Sequence, residues 1–222
     1  MANKGDITVV YYTSNTENKR FEENICKSID RAKGDLPLVS VSQEPMQFGE
    51  NVCVGKVGVS SQNAYRQMLL GAKTAKTRFV CMAESDCVYP PEYFQFVPPD
   101  DKYAWLANPL WVLFCMKDKG RQYCLKPRGS ESAMAINREL LIERIETILS
   151  SLDYWGPATA NGEGWPYLLD RKAIKSRHFN APTLTFKTDQ NMHRRTPHKS
   201  DSRTRDLQPW GKASDIIGEY YG

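Results

Sequence analysis

Along the first 84 residues, apolar and polar positions come in alternating blocks. DITVVYY, residues 6–12, is a continuous apolar run rich in β-branched and aromatic side chains, the pattern of a buried strand. The polar TSNTEN that follows carries helix-capping side chains, and residues 17–32 then set Phe21, Ile25 and Ile29 at helical spacing. GDLP is a turn, LPLVSVS (36–42) a second strand, and VCVGKVGV (52–59) a short strand or an extended loop. Residues 60–78 predict a helix: Ser60 or Ser61 can cap it, Ala64, Met68, Ala72 and Ala75 share one face, and basic residues close it. FVCMAE, 79–84, is again a strand.

Strand and helix in alternation predict an α/β fold, an open and largely parallel sheet with helices packed on it. Beyond it come YAWLANPLWVLF (103–114) with a hairpin partner near RQYCLKP, and ESAMAINRELLIERIETILSSL (131–152), which begins as a strand and continues as an amphipathic helix. A Gly- and aromatic-rich loop, DYWGPATANGEGWPYLLD, leads into a short helix, and SRHFNAPTLTFKT is expected as the last strand. We divide the chain into a domain over 1–188 and a basic, aromatic extension over 189–222 that packs on or near the site.

Composition narrows the class. A chain of 222 residues with 41% hydrophobic content suits one domain with a real core. No run approaches the roughly 18–20 apolar residues that span a bilayer, and MANKGDITVVYY has no signal-peptide pattern, so no membrane partner and a cytoplasmic location are expected. The six cysteines include no Cys-x-x-Cys and lie far in sequence from any histidine, which reads as reduced thiols rather than disulfides or a zinc site. Net charge is only +4, but ten Lys or Arg fall between Arg171 and Arg205 against Asp189 and Asp201. That basic third is either a solvated surface or a contact for an anion, a diphosphate or a nucleic-acid backbone.

FVCMAESDCVYP is the stretch with chemistry in it. A buried strand ends by placing Glu84 and Asp86 one residue apart, where they repel each other unless a cation sits between them. Hard divalent ions such as Mg²⁺ or Mn²⁺ take oxygen ligands and complete their shell with waters and substrate phosphates. An acidic turn after a strand is the plainer reading of the same residues.

In its context this stretch resembles the metal motif of nucleotide-sugar glycosyltransferases of the GT-A fold, an Asp-x-Asp at the end of a central strand. Here Glu84-Ser85-Asp86 stands in its place, within FVCMAESDCVYPPEYF, and is similar to an acidic-x-Asp-x-x-Tyr-Pro pattern found in phage and bacterial sequences. ITVVYYTSN resembles the first nucleotide-binding strand and loop, SSQNAYRQMLLGAKTAKTRFV the helix before the metal motif, ESAMAINRELL the acceptor-side strand and helix start, and NGEGWPYLL the acidic motif that carries the catalytic base. The resemblance spans residues 6–195. It departs in two places: Glu84 replaces the first Asp, and Gly164 follows Glu163 where many relatives have a second acid.

The resemblance implies a metal-dependent transfer from a nucleotide-diphosphate sugar, a UDP-sugar first among them. Asp86 and Glu84 would hold Mn²⁺ or Mg²⁺, with Glu84 acting also through water or a ribose hydroxyl, and His193 or His198 would return to the metal. Glu163 would deprotonate the acceptor hydroxyl, with Asp153 in reserve. Tyr12 ends the first strand and is a donor-site candidate, and Thr13, Ser14 and Asn15 follow it, where they either contact the nucleotide or cap the next helix; Glu44 and Arg66 are further donor candidates, Arg66 equally a salt-bridge partner, and Arg194 and Arg195 could clamp phosphates. His178 is expected to be structural, and the tryptophans either stack on sugar or base or fill the core. The basic third, with its interleaved Trp and Tyr, would suit a polyanion, and with the resemblance to phage sequences the acceptor expected is a hydroxymethylated base in double-stranded DNA; a glycan or other small acceptor is the competing enzyme reading, and a noncatalytic nucleic-acid-binding α/β module the non-enzymatic one.

Overall fold

The computed structural model describes residues 4–115, 117, 120–127, 129–150, 168, 171–188 and 202–221. Its first half is β1 (Ile7–Tyr12), α1 (Lys19–Lys33), β2 (Leu38–Ser42), β3 (Glu50–Cys53), α2 (Ser61–Thr74) and β4 (Phe79–Glu84). These strands pair in parallel in the order β3-β2-β1-β4. The second half is β5 (Cys87–Val88), α3 (Pro91–Gln95), β6 (Ala104–Phe114), β7 (Tyr123–Lys126), β8 (Met134–Asn137), α4 (Arg138–Leu149), β9 (Ile174–Lys187), β10 (Arg203–Thr204), β11 (Asp206–Leu207), β12 (Gly211–Lys212) and α5 (Ala213–Tyr221). Here β8 is antiparallel to β4, β6 and β7 continue antiparallel, and β9 runs parallel to β6 along its length. The sheet is therefore mixed, parallel on one side of β4 and mainly antiparallel on the other.

Local chemistry explains the elements. The Asn18 side chain accepts from the N–H groups of Arg20 and Phe21 and starts α1, whose Phe21, Ile25 and Ile29 are buried. Ser60, rather than Ser61, caps α2 by accepting from the Asn63 N–H. Alternate residues of β1 face opposite cores: Val9 and Tyr11 lie in the cluster under α1, Val10 and Tyr12 in the one under α2 and α4. Gly71 is what lets α2 lie so close to β1, since a Cβ there would sit 2.3 Å from Val10 Cγ1. The path matters for function. The chain steps from β1 outward to β2 and β3, then crosses back to the other side of β1 as β4. The carboxyl ends of β1 and β4 thus flank the point where the winding reverses, where α/β sheets open a crevice.

Several expectations shift at their edges. The helix expected over 60–78 ends at Thr74, because Ala75 turns to extended backbone while its N–H still bonds the Gly71 carbonyl. β9 is not the last strand: β10 pairs with β7, and β11 with β12. The aromatic tail is core rather than a stacking surface. Tyr221 stacks on Phe21 at 4.4 Å, the Tyr220 hydroxyl meets Ser28 Oγ at 3.0 Å, and Trp210 Nε1 donates to the Pro182 carbonyl at 2.9 Å. The six cysteines are thiols. Among the described residues no helix is long and apolar enough to cross a membrane.

Candidate functional site

The tip of β4 is held by buried tyrosines. Tyr89, 2% exposed, accepts the Glu84 N–H at 2.9 Å and donates to the Ser132 carbonyl at 2.6 Å. Tyr93 stacks against it at 5.0 Å and donates to the Met82 carbonyl. β5 then pairs with β9 through Cys87 and Val88, and the Phe186 N–H bonds the Asp86 carbonyl at 2.7 Å. Two ties thus fix the strand tip: Tyr89 joins Glu84 to Ser132, just before β8, and β5 with the Asp86 carbonyl joins it to β9.

Three carboxylates and a lysine meet there, with a tyrosine and a cysteine beside them. Glu84 Oε1 accepts from the Tyr12 hydroxyl at 2.5 Å. Burial and then the Asp86 charge push the Glu84 carboxyl up to about 7. Glu17, from the loop after β1, is pushed up to about 7 by burial and then by Asp86, although Thr188 donates to it at 3.2 Å. Lys187, at the end of β9, brings its Nζ to 3.8 Å from Asp86 Oδ2, with side chains only 16% and 13% exposed. Ligand atoms of Glu84, Asp86 and Cys87 lie within 4.8 Å of one another. The Cys87 thiol points its Sγ–H at Asp86 Oδ1 (3.2 Å) and is held well above its usual range by burial and by both carboxylates. A neutral thiol is a poor ligand for a hard cation. The donor set that remains is two crowded carboxylate groups, and it fits Mg²⁺ or Mn²⁺.

A cleft of about 150 Å³ opens beside this cluster. Its walls are rigid. Asn15, with φ 53°, accepts the backbone N–H groups of Gln43 and Glu44. Gln67 Nε2 donates to the carbonyls of Thr13 (2.7 Å) and Val41 (3.0 Å). Asn63 Nδ2 holds the Val57 and Gly58 carbonyls, and Gln43 and Gly58 exchange two hydrogen bonds. Three loops, each from a strand end, are thus fixed around one opening.

Of the residues singled out in the sequence, Tyr12, Thr13, Ser14, Glu84 and Asp86 line this cleft together. The Thr13 hydroxyl is already donated to the buried Glu22 at 2.5 Å, its N–H to the Val41 carbonyl at 3.0 Å, and its carbonyl accepts from Gln67, so Thr13 shapes the cleft wall through bonds it already makes. Glu44 does not line it; its exposed carboxylate meets Lys56 at 3.2 Å, and its neighbour Gln43 takes the place. Arg66 is buried on α2 and is also absent from the lining, since Asn63 and Gln67 occupy the face that turns toward the cleft. His178 Nε2 is 2.9 Å from Asn108 Nδ2, on the first half of β9 and outside the cleft. Glu163, Asp153, His193, Arg194, Arg195 and His198 lie outside the described residues. Sequence reading missed Glu17, Gln43 and Lys187. A lysine closing the run TLTFK mirrors a glutamate closing FVCMAE, and that was the available signal.

A broader hollow of about 990 Å³ lies at the opposite end of the sheet, lined by Asp6, Arg78, Glu92 and Arg177 among others. Its charges are mixed and already engaged, Arg78 with Asp101 and Glu92 with Asn180. The small cleft, not this hollow, is where the carboxylates converge.

No protein-family model matches the chain. No curated protein matches it in sequence. Solved structures do match. The apo form of the glycosyltransferase GlyE from Streptococcus pneumoniae TIGR4 superposes with a TM-score of 0.51 at 12% identity, over 96% of this chain and 62% of its own. TarS 1–349 from S. aureus, in complex with UDP-GlcNAc, superposes with a TM-score of 0.50 at 13% identity, over 84% of this chain and 60% of its own. The fold is GT-A-like. At such identities the likeness speaks for the fold, and the chain spans about three fifths of the length of each of these structures.

Proposed function

We propose that the chain is a metal-dependent glycosyltransferase that takes its sugar from a nucleotide-diphosphate donor. The observation that carries this reading is the convergence of Glu84 and Asp86, at the tip of β4, on the rigid cleft at the end of β1. In a GT-A-like fold that is the place for a diphosphate. TarS was solved with UDP-GlcNAc, which favours a UDP-sugar as the donor class. Glu84 and Asp86 hold Mn²⁺ or Mg²⁺, and Tyr12 orients the Glu84 carboxyl. The bound cation supplies neutralisation of the diphosphate as it leaves. Ser14 and Gln43, on the wall that Thr13 shapes, receive the nucleoside side of the donor. Glu163, with Asp153 in reserve, takes the proton of the acceptor hydroxyl in an inverting transfer. His193 or His198 complete the metal shell, and Arg194 and Arg195 contact phosphate; these residues follow Thr188, which hydrogen-bonds Glu17 at the rim of the cluster.

The acceptor we propose is a hydroxymethylated base in double-stranded DNA. Its support is charge: the run from Arg171 to Arg205 carries ten cations, and Lys187 of that run lines the cleft. Contacts to phosphate predict steep loss of binding with salt.

The test is thermal stability with Mn²⁺ or Mg²⁺ and a panel of UDP-, GDP- and dTDP-sugars, for the wild type and Asp86→Ala. A ligand that binds the native state raises Tm by mass action. A metal-dependent rise with one nucleotide, lost in the variant, supports the donor site. No rise with any donor overturns it and leaves an acidic turn.

A further inference from the structure

Lys187 is the only cation among the described residues that line the cleft. It arrives from β9, a strand about a hundred residues away from the carboxylates it meets, and both charges are largely shielded from water. Its backbone is pinned: the Cys115 N–H bonds the Lys187 carbonyl at 3.0 Å, and on either side Phe186 is tied to Asp86 and Thr188 to Glu17. Only the flexible four-carbon side chain can move. Its ammonium acts on Glu17 and Glu84 as well as on Asp86. A divalent cation on Asp86 would lie about 2.1 Å from the carboxylate oxygen. Two cations cannot share that carboxylate without strong repulsion, least of all out of water.

Resting on the glycosyltransferase reading of this cleft, we propose that Lys187 is its resident counter-cation, which holds Asp86 until a divalent metal takes that carboxylate and then turns its ammonium to the donor's diphosphate. An ammonium with three rotatable donors suits a phosphate oxygen as well as a carboxylate. Metal and diphosphate then bind cooperatively. The metal turns Lys187 toward phosphate, and phosphate draws Lys187 from the metal's carboxylate; by linkage each strengthens the other equally. A lysine that merely balances charge in the fold would show no such reciprocity.

The experiment titrates Mn²⁺ alone, inorganic pyrophosphate with and without Mn²⁺, and UDP with Mn²⁺ into the wild type, Lys187→Met and Lys187→Arg, by calorimetry at low salt. Met keeps the length and apolar stem of the side chain, and Arg keeps its charge. The expected result is two changes of opposite sign in Lys187→Met: Mn²⁺ alone binds about five- to tenfold tighter, the scale of one removed charge interaction at a shielded site, and pyrophosphate with Mn²⁺ binds weaker by a similar factor. Lys187→Arg stays near the wild type in both. Misfolding cannot produce the tighter metal binding. Unchanged or weaker Mn²⁺ binding by Lys187→Met overturns the proposal whatever the donors do. The opposite-signed pair with pyrophosphate, together with no binding of UDP by the wild type, sustains the role of Lys187 and sinks the nucleotide-sugar reading instead.

Discussion

Two cation–carboxylate pairs sit at opposite ends of the same sheet. Arg78 and Asp101 lie at the amino end of β4, 2.5 Å apart, doubly hydrogen-bonded, and about half exposed. Lys187 and Asp86 lie at the carboxyl end, 3.8 Å apart, and only 16% and 13% exposed. The shorter contact is the less consequential. Water screens Arg78 and Asp101 and competes for their hydrogen bonds. Around Asp86 the screening is weaker, and burial first, then the Asp86 charge, pushes Glu17 and Glu84 up to about 7. Burial, rather than distance, separates a pair that decorates a surface from one that sets the chemistry of a site.

The largest expected effect tests the carboxyl end directly. Asp86→Ala should abolish any rise in Tm produced by Mn²⁺ with donor, and calorimetry should find metal affinity lowered by about a hundredfold or more, as for loss of one of few ligands. A variant that kept its metal response would make the two ends of the sheet equivalent.

Tyr89→Phe should come next. It removes the hydroxyl that joins the Glu84 N–H to the Ser132 carbonyl and leaves both buried without that partner. Urea denaturation should show a loss of about 1–3 kcal/mol, with weaker metal binding as the strand tip loosens.

The third expectation concerns pH. For Glu17 and Glu84 the folded protein favours the protonated form, with the native carboxyls at about 7 and the unfolded ones near the ordinary value of about 4.3. Between those values the native state binds more protons than the unfolded one. Stability of the metal-free protein should therefore fall as pH rises from about 4.5 to about 7 and level off above. Glu17→Gln should flatten that slope by about 1–2 kcal/mol, allowing for its partial exposure, and Mn²⁺ should flatten it by compensating the charges. Denaturation midpoints at pH 5 and pH 8, with and without Mn²⁺, check this.

The smallest effect belongs to the other end. Asp101→Asn breaks the shorter pair and should leave both the denaturation midpoint and the metal affinity where they were. A clear change in either would reverse the comparison.

Much of this molecule was legible in order along the chain. DITVVYY, the Phe21-Ile25-Ile29 face, LPLVSVS and FVCMAE became β1, α1, β2 and β4 with small shifts at their ends. The alternation of those elements was enough for the α/β class, the GT-A likeness came from the resemblance of the motifs in their order, and the acidic end of FVCMAES was visible in the sequence. Legibility failed where a residue's role depends on a neighbour far away in sequence. Glu44 and Gln43 are adjacent, yet only Gln43 turns into the cleft, because Asn15 fixes the loop. Arg66 shares α2 with Gln67, but their positions on the helix face different neighbours.

By itself the sequence determined local periodicity, caps and the run of elements, since these depend on side chains three or four residues apart and on backbone preferences. It also determined that two carboxylates stand at a strand tip. Only the tertiary structure decided that Glu17 and Lys187 join them, one from the loop after β1 and the other from the end of β9. It likewise decided that Tyr12 holds one of them and that Cys87 stays a neutral thiol. The reason is physical. Charges act through space, with a strength set by how much water the fold has removed, and neither separation nor dehydration is written in the spacing of residues along the chain.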